Sequence, residues 1–138
     1  MKRKEPKYKY SNVMLIDDNE LDNFINEKTL EANNYAKKIY SNTSAKSALE
    51  FLNNLVTMGD QYAKVYPEVI FIDINMPMMD GFQFIENFKK KNEKLLQKPK
   101  LVILTSSVYH EDKQKAQAIS DDIIFLNKPL TKEMLQDV

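Results

Sequence analysis

The chain has 138 residues, 43% hydrophobic and 10% aromatic, which is one domain's length with apolar area for one core. It contains no cysteine, which excludes a disulfide framework, a thiol nucleophile, an iron–sulfur cluster and a cysteine-ligated zinc site, and fits a reducing, cytoplasmic setting. Twenty Lys and Arg balance twenty Asp and Glu, and no apolar run approaches the roughly 18 residues of a membrane span, so neither nucleic acid nor a membrane is expected as a partner.

In chain order, the first ten residues carry Lys2, Arg3, Lys4, Lys7 and Lys9 against Glu5. The apolar stretch of a signal peptide does not follow, so residues 1–11 read as a flexible basic segment and 12–138 as the folded domain. The run 13–16 is short, apolar and β-branched, as in a strand, and ends in Asp17 and Asp18. Residues 20–33 have a weak helical period with Leu21, Phe24 and Ile25 on the expected inward face. A more polar run, 36–41, suits an edge strand. Residues 44–58 have the clearest helical period, with Ala45, Ala48, Leu49, Leu52, Leu55 and Val56 on one face and Ser44 as N-cap. The run 69–72 reads as a strand ending in Asp73, and 81–90 as a helix carrying Phe84, Ile85 and Phe88. The run 101–104 leads into Thr105, Ser106 and Ser107. His110, the single histidine, reads as a surface residue at the start of a polar helix over 111–119, which is expected to be mobile because it buries little. The run 123–126 leads into Asn127, Lys128 and Pro129. A short last helix from about Thr131 turns Met134, Leu135 and Val138 inward.

The four apolar runs are continuous rather than alternating, so each is expected to be buried on both faces, as in a parallel sheet covered by helices. Five alternations of strand and helix give a doubly wound α/β fold with five parallel strands. Such folds bind ligands outside the carboxyl ends of their strands, so the residues at those ends matter most. Singly, an Asp pair caps a helix and a Lys-Pro makes a turn. Jointly, Asp17, Asp18, Asp73, Thr105 and Lys128 converge on one cleft. Each carboxylate pair at ~4 Å repels by about 4 kcal/mol at an effective dielectric near 20, so a cation is required. An all-oxygen site with room for water and phosphate oxygens is characteristic of Mg²⁺, and Lys128 adds a second positive group. A carboxylate nucleophile, Mg²⁺, a hydroxyl donor and an ammonium are the parts for phosphoryl transfer onto a carboxylate.

The string Val69-Ile-Phe-Ile-Asp73-Ile-Asn-Met-Pro77-Met-Met-Asp80-Gly81, preceded by Asp17 and Asp18 and followed by Thr105 and Lys128-Pro129, resembles the receiver domain of two-component response regulators over residues 12–138. That resemblance implies a flavodoxin-like sheet of order 2-1-3-4-5. It implies that Asp73 is the phosphoacceptor, Asp18 a direct Mg²⁺ ligand and Asp17 an acidic partner acting through water. The Asn75 backbone carbonyl would join the metal, and the Thr105 hydroxyl and Lys128 would meet the phosphoryl group. Phe125 takes the place of the switch aromatic coupled to Thr105. Asn75 and Ser107 hold the positions that tune dephosphorylation, Pro77 and Gly81 shape the loop after Asp73, and the Lys128-Pro129 bond is expected to be cis. Two departures are the long segment 59–67 and the short last helix.

The function implied is a stand-alone phosphorylatable switch with self-directed chemistry only, not an enzyme. Its partners would be a histidine kinase or histidine phosphotransfer protein and a downstream protein at the face of the fourth helix, fifth strand and fifth helix. A haloacid-dehalogenase-like phosphatase shares these parts, but its Asp-x-Asp motif is absent because Asn75 stands where the second acid belongs. A flavin carrier is opposed by the two glycines and the lack of a hydroxyl-rich loop after the first strand. A receiver-like module that binds without phosphorylation is opposed by the complete acidic set.

Overall fold

The computed structural model describes residues 6–95 and 98–138. Five strands, β1 (Tyr10–Ile16), β2 (Ala36–Asn42), β3 (Val69–Ile72), β4 (Lys100–Thr105) and β5 (Ile124–Asn127), alternate with α1 (Glu20–Ala32), α2 (Ala45–Val56), α3 (Gly81–Lys91), α4 (His110–Ile119) and α5 (Lys132–Gln136). The sheet is parallel, in the order β2-β1-β3-β4-β5. The order reverses beside β1, the place where this architecture opens a crevice at the carboxyl ends of the strands.

The continuous apolar runs serve both faces of the sheet. Met14, Ile16, Ile70, Ile72 and Ile103 point into a core closed by Ala48, Leu49 and Leu52 of α2 and Phe84, Ile85 and Phe88 of α3. Val13, Leu15, Val69, Phe71, Val102 and Leu104 point the other way, against Leu30 of α1 and Leu135 of α5. Side chains alternate along a strand, so a strand covered on both faces must be apolar at every position. Helix starts follow local chemistry: Ser44 caps α2 by accepting from the Ser47 N–H at 3.1 Å, and Asp80 and Gln83 form a reciprocal capping box on α3.

Three expectations change. The strand β1 begins at Tyr10, so residues 10 and 11 belong to the sheet and not to a flexible segment: Tyr10 pairs with Ala36 and its hydroxyl donates to the Val138 carbonyl at 3.1 Å. The rest of that basic segment up to residue 5 lies outside the described residues. The strand β5 is an edge strand whose Ile124, Phe125 and Leu126 are only half-buried, because one of its sides has no neighbouring strand. The face of α1 carrying Leu21, Phe24 and Ile25 is turned to solvent, with 64%, 56% and 43% exposure. Its inward face carries Asn23, Asn26 and Leu30 instead. The segment 59–67 contains a 3-10 helix, Gly59–Lys64, and α4 buries a single residue, Ala116.

Candidate functional site

The sheet brings the residues at its carboxyl end together. Pairing of Ile16 with Ile72 sets Asp17 and Asp73 on adjacent strand ends, and the Asp73 N–H donates to the Ile16 carbonyl at 3.0 Å. Asp17 and Asp73 are buried, at 4% and 6% exposure, whereas Asp18 is exposed. Pairing of Thr105 with Asn127 carries Lys128 to the same end, where its backbone N–H donates to the Thr105 carbonyl at 2.9 Å. The Lys128-Pro129 bond is cis.

Lys128 ends among three carboxylates. Its ammonium bridges to Asp17, to Asp22 Oδ2 at 3.0 Å and to Asp73 Oδ2 at 3.1 Å. Burial alone would lower its pKa, but the bonds to Asp17 and Asp22 and the charge of Asp73 outweigh burial and hold it above the ordinary lysine range. Asp17 moves upward as well: burial, helped by the charge of Asp73, outweighs the bond from Lys128 and the Asn19 N–H. Three carboxylates thus share one ammonium.

Carboxylate oxygens of Asp17, Asp18 and Asp73 lie within 4.8 Å of one another. The donor set is all oxygen, and it holds two buried like charges, one of them already raised in pKa. That chemistry fits a hard divalent cation that keeps part of its water shell, as Mg²⁺ does.

The loop after Asp73 is shaped around the same carboxylate. The Asn75 N–H donates to Asp73 Oδ1 at 3.4 Å, and Asn75 itself is exposed. Pro77 accepts from the Met79 N–H at 2.8 Å, with Met78 between them at φ 70°, fully exposed at the rim. Gly81 closes the loop by donating to the Ile74 carbonyl at 3.0 Å. A Cβ there would sit inside the van der Waals shell of the Asp73 carbonyl oxygen and 2.9 Å from Ile74 Cα.

Across the cleft, Thr105 is fully buried, and its hydroxyl oxygen accepts from the Ser107 N–H at 3.2 Å. The Ser107 hydroxyl donates to Asp112 of α4 and accepts from the Tyr109 N–H at 3.3 Å. The Asn127 amide donates to the Ser107 carbonyl at 2.8 Å. Phe125 pairs with Ile103 and packs half-buried against the α2–α3 core. His110 is exposed at the start of α4.

Four residues of this neighbourhood escape a reading of strand ends. Asp22 sits in the first turn of α1, where an acid reads as an ordinary complement to a helix start, and nothing in the sequence points it at Lys128. Asn23 donates to the carbonyls of Asp17 at 2.9 Å and Asn42 at 3.3 Å. Asn26 Oδ1 accepts from the Leu130 N–H at 3.3 Å, just past the cis bond. Asp112 has no motif signal beyond its place in the first turn of α4.

Comparison with known proteins points the same way. The family model described as response regulator receiver domain matches residues 13–138. Hybrid signal transduction histidine kinase L of Dictyostelium discoideum is 29% identical over 97% of this chain, which spans 7% of that kinase's length. The crystal structure of a two component response regulator from Cytophaga hutchinsonii is 34% identical, with a TM-score of 0.81 over 92% of each chain. The receiver domain of the histidine kinase CKI1 from Arabidopsis thaliana, complexed with Mg²⁺, has the same fold at 20% identity, with a TM-score of 0.74 over 86% of this chain and 83% of that one.

Proposed function

From the premise that this chain belongs to the response regulator receiver domain family, we propose that it is a phosphorylatable signalling switch whose acceptor is Asp73. The observation that carries this reading is the position of the Asp73 carboxylate, bonded to Lys128 and within 4.8 Å of the Asp17 and Asp18 carboxylate oxygens. Receiver domains interact with histidine kinases or histidine phosphotransfer proteins and bind Mg²⁺ at an acidic pocket, and the donor here would be a phosphohistidine of such a protein. Among the described residues no helix is long and apolar enough to cross a membrane, and we assign the exchange to the cytoplasm.

An Asp73 carboxylate oxygen forms a bond to phosphorus as the P–N bond of the donor breaks, the electron pair leaving with the imidazole. Asp17, Asp18, Asp73 and the Asn75 carbonyl would hold Mg²⁺, which supplies neutralisation of the charge spread over the equatorial oxygens. Lys128 would meet the same charge, its raised pKa keeping it cationic. The Thr105 hydroxyl would turn from the Ser107 N–H toward a phosphoryl oxygen, and Phe125 would follow into the space vacated. Asn75 and Ser107 would tune the later removal of the group by water. The shifted α4–β5–α5 face would then present the signal to a downstream protein. The chemistry is self-directed, without a separate substrate turned over.

The test is incubation with Mg²⁺ and a small acyl phosphate, followed by intact mass measurement. The wild type should gain one phosphoryl group only when Mg²⁺ is present, and Asp73→Asn should gain none. Equal labelling of the variant would overturn the assignment.

A further inference from the structure

We propose that Asp22 is a positioning residue for Lys128, the one ammonium partner that stays in place through the phosphorylation cycle; this rests on the reading of Asp73 as acceptor. A lysine ammonium has three N–H donors, and here it has three carboxylate partners, Asp17, Asp22 and Asp73. Two of the three change role in the reaction. Asp17 belongs to the cluster that takes the cation, and Asp73 loses its carboxylate charge when its oxygen becomes bonded to phosphorus. Asp22 is in neither role. It stands on α1 rather than at a strand end, and its backbone is fixed by donation from its N–H to the Asn19 side chain at 3.1 Å.

The consequence follows from the lysine side chain. Its stem has four flexible carbons, and the ammonium behaves as a rotatable point charge with little directional preference of its own. Held only by groups whose bonding changes, it would have to be re-ordered at the moment the phosphoryl group arrives. An unchanging acceptor at 3.0 Å keeps two N–H groups free to exchange a carboxylate for a phosphoryl oxygen while the third stays fixed. Prior placement of charge in this way is what electrostatic stabilisation of a transition state requires. Asp22 is also partly open to solvent, at 35% side-chain exposure, so its charge is screened and its contribution is one of geometry.

Two variants separate contact from charge. Asp22→Ala removes the acceptor, and Asp22→Asn keeps an amide oxygen at the same place without the charge. Phosphorylation is timed by intact mass at saturating Mg²⁺ with a small acyl phosphate, each variant first matched to wild type for folding by circular dichroism. The Ala variant should be slower by about three- to tenfold, and the Asn variant should recover most of that loss. A second readout needs neither metal nor donor: in metal-free ¹⁵N-labelled protein the Lys128 ammonium resonance should persist in wild type and the Asn variant and be lost to solvent exchange in the Ala variant. A phosphorylated wild type with an Ala variant as fast or faster overturns the proposal, as does an Asn variant as slow as Ala, or an ammonium signal indifferent to both. A wild type that takes no phosphoryl group on Asp73 overturns the acceptor reading instead, whatever the ammonium signal does.

Discussion

At Gly81 a missing side chain lets the chain pass close to the backbone of Asp73, the proposed acceptor. Its φ lies in the ordinary region, so glycine is required there by proximity alone: a Cβ would collide with the carbonyl of Asp73 and the Cα of Ile74. Backbone atoms cannot swing aside as a long side chain can, and overpacking of this kind costs about 1–3 kcal/mol. Gly81→Ala should lower the unfolding free energy, measured by urea denaturation, by an amount in that range and also slow phosphorylation, since the displaced atoms include the Asp73 carbonyl. A variant of full stability and full rate would show that the loop gives way easily. Met78, three residues earlier, shows the opposite situation. It accepts a left-handed φ of 70°, a conformation that disfavours a side chain by roughly 1–2 kcal/mol, and does so fully exposed, where the Pro77–Met79 turn dictates the backbone.

Among the elements, α1 and α2 show what an apolar period does and does not reveal. In α2 the buried residues are Ala45, Ala48, Leu49 and Leu52, so the 3.6-residue stripe and the inward face coincide. In α1 the inward face is anchored by Asn23 and Asn26, whose amides bind the carbonyls of Asp17 and Asn42 and the N–H of Leu130, and the apolar stripe faces water. Phe24→Ser should therefore change the unfolding free energy by no more than about 0.5 kcal/mol, the range for exposed positions. Asn26→Leu, a more hydrophobic residue, should cost about 1–3 kcal/mol, because the buried Leu130 N–H loses its acceptor. Chemical denaturation of both variants checks the pair, and the reverse order would return α1 to the orientation its apolar stripe predicts. The same physics explains which parts of the site are legible in the sequence. Asp17, Asp73, Thr105 and Lys128 follow apolar runs, and a parallel sheet brings the ends of such runs to one edge. Asp22 projects from a helix whose orientation is set by asparagines, so only the folded chain places it on Lys128. The early start of β1 is similarly tertiary: Tyr10 joins the sheet because Ala36, delivered by the turn after α1, is there to pair with it.

For the whole molecule, protons held more tightly by the folded than by the unfolded chain set an alkaline limit on stability. Burial raises the phenols of Tyr35 and Tyr66 above the ordinary range, and Lys128 is raised by its carboxylate partners against the effect of burial. A group raised in the folded state adds stability that is fully present below its unfolded pKa, near 10 for Tyr and 10.4 for Lys, and is lost as pH rises through the folded value. Urea unfolding should therefore give a midpoint insensitive to these three groups at pH 7 to 9 and falling steadily above pH 10. The two tyrosines differ in a way that makes the prediction specific. The Tyr35 hydroxyl donates to the Val138 carbonyl at 3.2 Å, beside the Tyr10 hydroxyl on the same oxygen, and so helps tie β1 and the residue leading into β2 to the segment after α5. The buried Tyr66 hydroxyl has no hydrogen-bond partner among the described residues. Removing a paired hydroxyl costs about 0.5–1.5 kcal/mol, whereas removing an unsatisfied buried one relieves a desolvation penalty. At pH 7, Tyr35→Phe should thus be destabilised by about 1 kcal/mol and Tyr66→Phe should be at least as stable as wild type. Both should decline less steeply than wild type above pH 10, since each has lost one of the phenols that ionise on unfolding. If Tyr66→Phe lost stability at pH 7 and kept the full alkaline slope, the hydroxyl would be bonded and ordinary in the folded protein, and burial would not be what sets the alkaline limit there.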